Sequence, residues 1–161
     1  MKLDGIPIAF TSGLRIPSLE AFHDHLLDTS AKIIADGDEV HGPMIFILSR
    51  AGQVAVIPPV GSKEGIARFQ QAVVQEPMVR ACALVFEAWM STHPKEVDRK
   101  SVPMPRDDPK RQEAIVVSIM TNGRQAMSFS PITRPANTLE RAPFKWLDEI
   151  EGAKHKGRFV R

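Results

Sequence analysis

The sequence predicts an α+β fold in which a five-stranded, mainly antiparallel sheet is flanked by helices. Two segments carry apolar residues at helical spacing, and five shorter segments are dense in apolar residues and bounded by turn residues. The chain has 161 residues, of which 43% are hydrophobic and 25% charged, as is typical of a soluble globular domain. We therefore expect a single α+β domain over residues 1–153, followed by a basic tail at 154–161.

The first predicted helix extends from about Leu19 to Asp36. Ser18 is a good N-cap, and Gly37 is a residue that commonly ends helices. The apolar residues recur at spacings of three, four and seven and comprise Leu19, Phe22, Leu26 and Ile33. This spacing predicts an amphipathic helix with one buried face.

A β-hairpin and a second helix follow. Met44 to Leu48 and Val54 to Ile57 are apolar runs separated by a short turn, which favours two antiparallel strands. Ser62 can cap the next helix, whose apolar residues Ile66, Phe69 and Val73 share a face. Pro77 predicts an end at about Glu76, because the residue before a proline avoids helical geometry.

The third strand, Arg80 to Met90, is apolar on both alternating faces and is therefore predicted to lie centrally in the sheet. Two further strands, Glu113 to Met120 and Arg124 to Ile132, flank Asn122-Gly123. That dipeptide favours a two-residue hairpin turn, because both of its residues tolerate positive φ. A short helix is predicted around Phe144 to Ile150.

The predicted register of this last hairpin leaves both faces apolar. Pairing Thr121 with Arg124 divides the apolar side chains between the two faces of the sheet. One face carries Val116, Met120, Met127 and Phe129. The other face carries Ile115, Val117, Ile119 and Ala126. An antiparallel sheet commonly has one polar face, so we expect either helices on both sides or a second copy of the chain.

The order of these elements is helix, two strands, helix, strand, long connection, two strands and a short helix. This order is similar to the roadblock and profilin-like arrangement, in which helices flank a five-stranded antiparallel sheet. The resemblance is one of topology, and it implies a fold and an increased expectation of dimerisation rather than an activity.

The long connection, residues 91–112, is the most informative segment for function. It contains four prolines and mixed charges, and connections longer than about 12–15 residues are usually functional loops or linkers. Glu87 and Trp89 precede it, His93 lies within it and Arg111 is near its end. We predict that these residues line a small binding site at the end of the central strand.

Glu87 also suggests a structural interpretation, since it is a carboxylate inside an otherwise apolar strand. An unpaired buried carboxylate is costly, so we expect an ion pair with Arg111 or Arg134. Arg134 is therefore included among the predicted binding residues.

The sequence predicts no catalytic residue, resident metal or cofactor. His23 and His25 lie about 200° apart on a helix, so they cannot share one small ion. Cys82, the single cysteine, is expected to be a buried and unreactive thiol. No glycine-rich phosphate loop or nucleophile motif occurs.

We therefore expect a cytoplasmic, non-enzymatic interaction module, a homodimer that binds a protein or a small ligand through its sheet and the 91–112 connection. Its size and single cysteine suit an accessory protein of a bacterium or a bacterial virus, and no apolar run is long enough for a membrane span. One alternative is a metal-dependent hydrolase. It would use His23 or His25, Asp28, and a distant His41 or His93.

A second alternative is nucleic-acid binding through the basic tail. Its cationic residues are Lys154, Lys156, Arg158 and Arg161, and Phe159 offers a stacking surface. The net charge is +2, so the rest of the chain carries about −2 and adds no basic surface of its own.

Overall fold

The computed structural model describes most of the chain. The described residues are 2–3, 5–11, 13–38, 40, 43–57, 62–90, 109 and 111–149. They include two α-helices, α1 (Leu19–Ala35) and α2 (Lys63–Val73). A two-stranded sheet is formed by β1 (Lys2–Leu3) and β2 (Ile6–Pro7), and a larger antiparallel sheet contains six strands.

The six-stranded sheet has the order β4-β3-β5-β6-β7-β8 and forms a half-barrel. Its strands are β3 (Met44–Ser49), β4 (Val54–Ile57), β5 (Val79–Met90), β6 (Gln112–Met120), β7 (Gln125–Thr133) and β8 (Thr138–Leu139). The α+β class and the antiparallel pairing are confirmed, whereas the count of five strands is wrong. The missed elements, β1, β2 and β8, are two residues long, which is too short for a periodic pattern.

Both helices begin where the sequence predicts. The Ser18 Oγ accepts a hydrogen bond from the Ala21 amide, and the Ser62 Oγ accepts one from the Gly65 amide. Gly37 adopts a φ of +81° just after α1, which a residue with a side chain rarely adopts. The predicted third helix is wrong: only Leu147–Glu149 form a single 3-10 turn, and Phe144 lies in extended chain before it.

The predicted hairpin at Asn122-Gly123 is confirmed with its register. Met120 pairs with Gln125 and Val116 pairs with Phe129, so the two sets of side chains lie on the faces that the sequence predicts. We call face A the side that contains Ala83 and Val85 of β5, and face B the side that contains Cys82 and Leu84. α1 packs on face A and α2 packs on face B.

Each face therefore has its own core. On face A, Phe22 and Leu26 of α1 pack against Val85 and Val117. On face B, Phe69 of α2 packs with residues of β3, β4 and β5 and with Leu3 and Ile8 of the N-terminal segment. The central position predicted for β5 is confirmed, since it contributes buried residues to both cores.

Candidate functional site

Four of the predicted binding residues meet at one end of the sheet. Pairing between β3 and β5 ends at Val85, whereas pairing between β5 and β6 continues to Met90 and Gln112. Glu87 and Trp89 lie on this part of β5 beyond β3 and, by alternation, on face A. The pairing with β6 brings the end of β5 close to the residues that begin β6.

Trp89 and Arg111 stack on each other at this end. The Arg111 Cζ lies 4.5 Å from the centre of the indole ring, and Trp89 is 39% exposed. A cation over an aromatic face at an exposed site contributes about 0.5–1 kcal/mol. The contact therefore orients the guanidinium while much of the indole stays accessible.

Arg134 approaches the same place from β7. Its Nε lies 3.1 Å from the Glu113 Oε2, and its Nη1 donates to the Asn137 Oδ1 at 2.8 Å. Glu113 pairs with Trp89 across β5 and β6, so it connects Arg134 to the Trp89–Arg111 stack. Glu113 was not among the predicted binding residues, although the register predicted from Asn122-Gly123 already placed it at the start of β6.

The ion pair expected for Glu87 is not the contact that forms. The Glu87 Oε1 accepts a hydrogen bond of 2.8 Å from the backbone amide of Val40, in the connection between α1 and β3. Arg134 instead pairs with Glu113, and Glu87 pairs in register with Ile115, two residues further along β6. The half-buried carboxylate therefore holds a backbone segment, a partner that side-chain patterns do not reveal.

This end of the sheet gathers charged side chains around an aromatic ring. Its described charges comprise two carboxylates and two guanidinium groups, beside a half-exposed aromatic ring. Such a set can hold a planar or mixed-charge group by stacking and hydrogen bonding. His93, residues 91–108 and residue 110 lie outside the described residues.

The two histidines of α1 lie in different environments. His23 is only 2% exposed, and its Nε2 lies 2.7 Å from the Ser128 Oγ on β7. Burial lowers the pKa of the His23 imidazole, and the charge of Asp24 offsets part of that change. Its ring meets Phe144 edge-on, with 5.8 Å between ring centres.

The remaining candidate ligands of α1 are not gathered around His23. His25 is half-buried elsewhere on the helix, and the Asp28 Oδ1 pairs with the Arg141 guanidinium. Within the part of the chain that the structure describes, no three His, Cys, Asp or Glu side chains form a group that could hold a metal ion. His41, His93 and the tail at 154–161 lie outside the described residues.

Cys82 has the environment that the sequence predicts. It is fully buried in β5, and burial raises the pKa of its thiol to about 12. Gln70 of α2 lies beside it and donates from Nε2 to the Cys82 carbonyl oxygen at 3.4 Å. The Gln70 Oε1 is buried without a hydrogen-bond partner.

A second candidate surface lies on face B, beyond α2. We call it the outer half of face B; it comprises Phe86, Val116, Met120, Met127, Phe129 and Pro131. Val116 lies between Phe86 and Phe129 in register and is fully buried. The α2 core includes no residue of β7, and Phe129 is 36% exposed. Phe86 and Met120 pack against the edge of the α2 core, whereas Met127, Phe129 and Pro131 of β7 lie beyond it.

No helix among the described residues is long and apolar enough to cross a membrane. No protein-family model matches the chain, and no curated protein or solved structure shows significant similarity to it.

Proposed function

We propose that this chain is a small non-enzymatic interaction module that acts as a homodimer through the outer half of face B. The observation that carries the proposal is the exposure of Phe129 at the edge of the Phe86–Val116–Phe129 row. Partly exposed aromatic and methionine side chains on a sheet are typical of protein interfaces. Met120 and Met127 add flexible apolar side chains that adapt to a facing surface.

A second copy of the chain is the occupant that the composition of this surface favours. No position of face B from Cys82 to Met90, Gln112 to Met120 or Gln125 to Thr133 carries a charged side chain. In a twofold dimer the same patch meets itself, so any net charge would face a like charge. An uncharged apolar surface avoids that repulsion.

The end of the sheet formed by Glu87, Trp89, Arg111 and Arg134 is the proposed site for a further protein partner or a small ligand. It lies on face A, opposite the proposed dimer surface. Partner binding and dimerisation would therefore use different sides of the sheet. This separation suits a module that brings two copies of a partner together.

Sedimentation equilibrium of the untagged protein tests the dimer. The wild type should have twice the 17.9 kDa chain mass, and Phe129→Asp should shift the association toward the monomer. We expect the dimer dissociation constant to rise by about 100-fold or more, because both copies lose an aromatic side chain from the interface and gain a charge there.

Val56→Asp is the matched control. Val56 is also an apolar strand residue, it is 58% exposed, and it lies on β4 on the opposite face. This variant should dimerise as the wild type does. A monomeric wild type, or an equal loss of dimer in both variants, would overturn the assignment of the interface to face B.

A further inference from the structure

The chain after β8 forms an extended segment along the outer edge of β7. We call residues 138–149 the strap. The Glu140 amide donates to the Pro131 carbonyl at 2.8 Å, the Met127 amide donates to the Lys145 carbonyl at 3.4 Å, and Trp146 forms a bridge with Ala126. The strap thus occupies the backbone groups that an edge strand would otherwise expose.

The ion pairs that attach the end of the strap are exposed. None of its residues is fully buried. The Arg124 guanidinium pairs with Asp148 and Glu149 and lies 4.0 Å from the centre of the Trp146 ring, and all three side chains of these ion pairs are more than 40% exposed. Exposed ion pairs contribute little, so this segment belongs to the less stable part of the fold.

His23 lies directly beneath the strap. It is held between Ser128 of β7, through the Nε2–Oγ hydrogen bond of 2.7 Å, and Phe144 of the strap. Phe144 in turn packs edge-on against Trp146, with 5.1 Å between ring centres. The imidazole is therefore in direct contact with Phe144, one of the apolar residues through which the strap packs on the core.

The charges around His23 do not provide a buried counter-ion. On α1, Asp24 favours the charged imidazole but is exposed, and Asp28 is engaged with Arg141 of the strap. On β7, the face A positions from Ala126 to Ile132 are uncharged. On the strap, Lys145 is exposed and cationic, so it offers no compensation for an imidazolium.

We propose that the strap is a pH-sensitive cover, which undocks from β7 when the buried His23 becomes an imidazolium. A charged ring donates from both nitrogens and is stabilised by water or acceptors around it, whereas among the described residues the hydrogen-bond partner of the docked ring is the single hydroxyl of Ser128. Undocking admits water to the imidazole. It also exposes the backbone groups of the β7 edge, where another strand could pair.

The sign of the effect follows from linkage. Burial lowers the pKa of His23 below 6.5 when the strap is docked, whereas the undocked imidazole titrates near that ordinary value. Acid therefore favours the undocked state. The ratio of undocked to docked strap should rise by up to about tenfold for each pH unit below 6.5, until the docked imidazole also protonates.

Fluorine NMR of the full chain labelled with 5-fluorotryptophan provides the test. The chain has two tryptophans, Trp146 in the strap and Trp89 at the far end of the sheet. Between pH 7.5 and 4.5 the Trp146 resonance should move toward its solvent-exposed position, and the Trp89 resonance should stay in place as the internal reference.

Two matched variants separate His23 from other titrating groups. His23→Gln should abolish the Trp146 transition, and His25→Gln, two residues away on the same helix, should retain it. Asp148 titrates at lower pH, because Arg124 lowers the pKa of its carboxyl below 3.8. A Trp146 resonance that does not respond to pH, or a transition that persists in folded His23→Gln, would refute the proposal.

Discussion

The two faces of the sheet bury their polar groups differently. On face A, the buried His23 bonds to Ser128, and the Ser130 hydroxyl accepts a hydrogen bond from the Ala142 amide. On face B, the Gln70 Oε1 is buried without a partner. Face A is covered by α1 and by the strap, whereas the α2 core on face B is formed by β3, β4 and β5 with Met120 of β6 at its edge, and it includes no residue of β7.

The length and position of each helix decide how much of its sheet face the helix covers. α1 has 17 residues and reaches β6 and β8, whereas α2 has 11 residues and stays over β5 and its neighbours. A helix of 11 residues is only about 16 Å long, less than the width of six strands spaced about 4.8 Å apart. The face B side of β7 therefore lies beyond the reach of α2.

Truncating the buried phenylalanine of either helix should cause the largest loss in the free energy of unfolding. Phe22 and Phe69 are both buried, so replacing either with alanine should reduce the free energy of unfolding by about 3–5 kcal/mol. We expect Phe22→Ala to be the more severe, because both α1 and the strap restrict collapse of the cavity. Urea denaturation measures both, and a greater loss for Phe69→Ala would contradict the view that face A is the better packed.

Removing a buried hydroxyl should have an intermediate effect that depends on the face. Ser128→Ala leaves the His23 Nε2 without its partner and should cost about 1–3 kcal/mol at neutral pH. Ser118→Ala on face B is the matched control, because its partner Gln125 is half-buried and can bond to water instead. Equal losses in urea denaturation would show that the His23–Ser128 bond has no special importance.

Gln70→Met should change the free energy of unfolding least, and in the stabilising direction. The change removes an unpartnered acceptor together with the long 3.4 Å hydrogen bond to the Cys82 carbonyl and keeps a long side chain, so the free energy of unfolding should be unchanged or should rise by up to about 1 kcal/mol. Thermal and urea denaturation measure the change. A loss of more than about 1 kcal/mol would mean that the Gln70 amide makes a stabilising contact in solution.

Local patterns predicted the start of both α-helices and the β6–β7 hairpin accurately. Ser18 and Gly37 bound α1, and Asn122-Gly123 gave the correct register for β6 and β7, because caps and tight turns depend on a few neighbouring residues. The predicted short helix failed at Phe144. There, hydrogen bonds and ring contacts with β7 and α1 outweigh the local preference.

The candidate site was only partly predictable for the same reason. Glu87 and Trp89 stood out because they interrupt an apolar strand at its end. Their partners could not be recognised in the sequence, because the Val40 amide and the Glu113 residue belong to separate segments that only the fold brings next to Glu87 and Trp89. Long-range contacts of this kind leave no periodic signal in the chain.

The sequence by itself determined the α+β class, the two amphipathic helices, the central position of β5 and the apolar character of both sheet faces. These features follow from periodicity and turn chemistry, which act over a few residues. Only the tertiary structure decided that Glu87 holds a backbone amide, that His23 is buried under the strap, and that the outer half of face B lies beyond α2. These outcomes depend on which distant segments pack together on each face of the sheet, and close packing leaves room for only some of them.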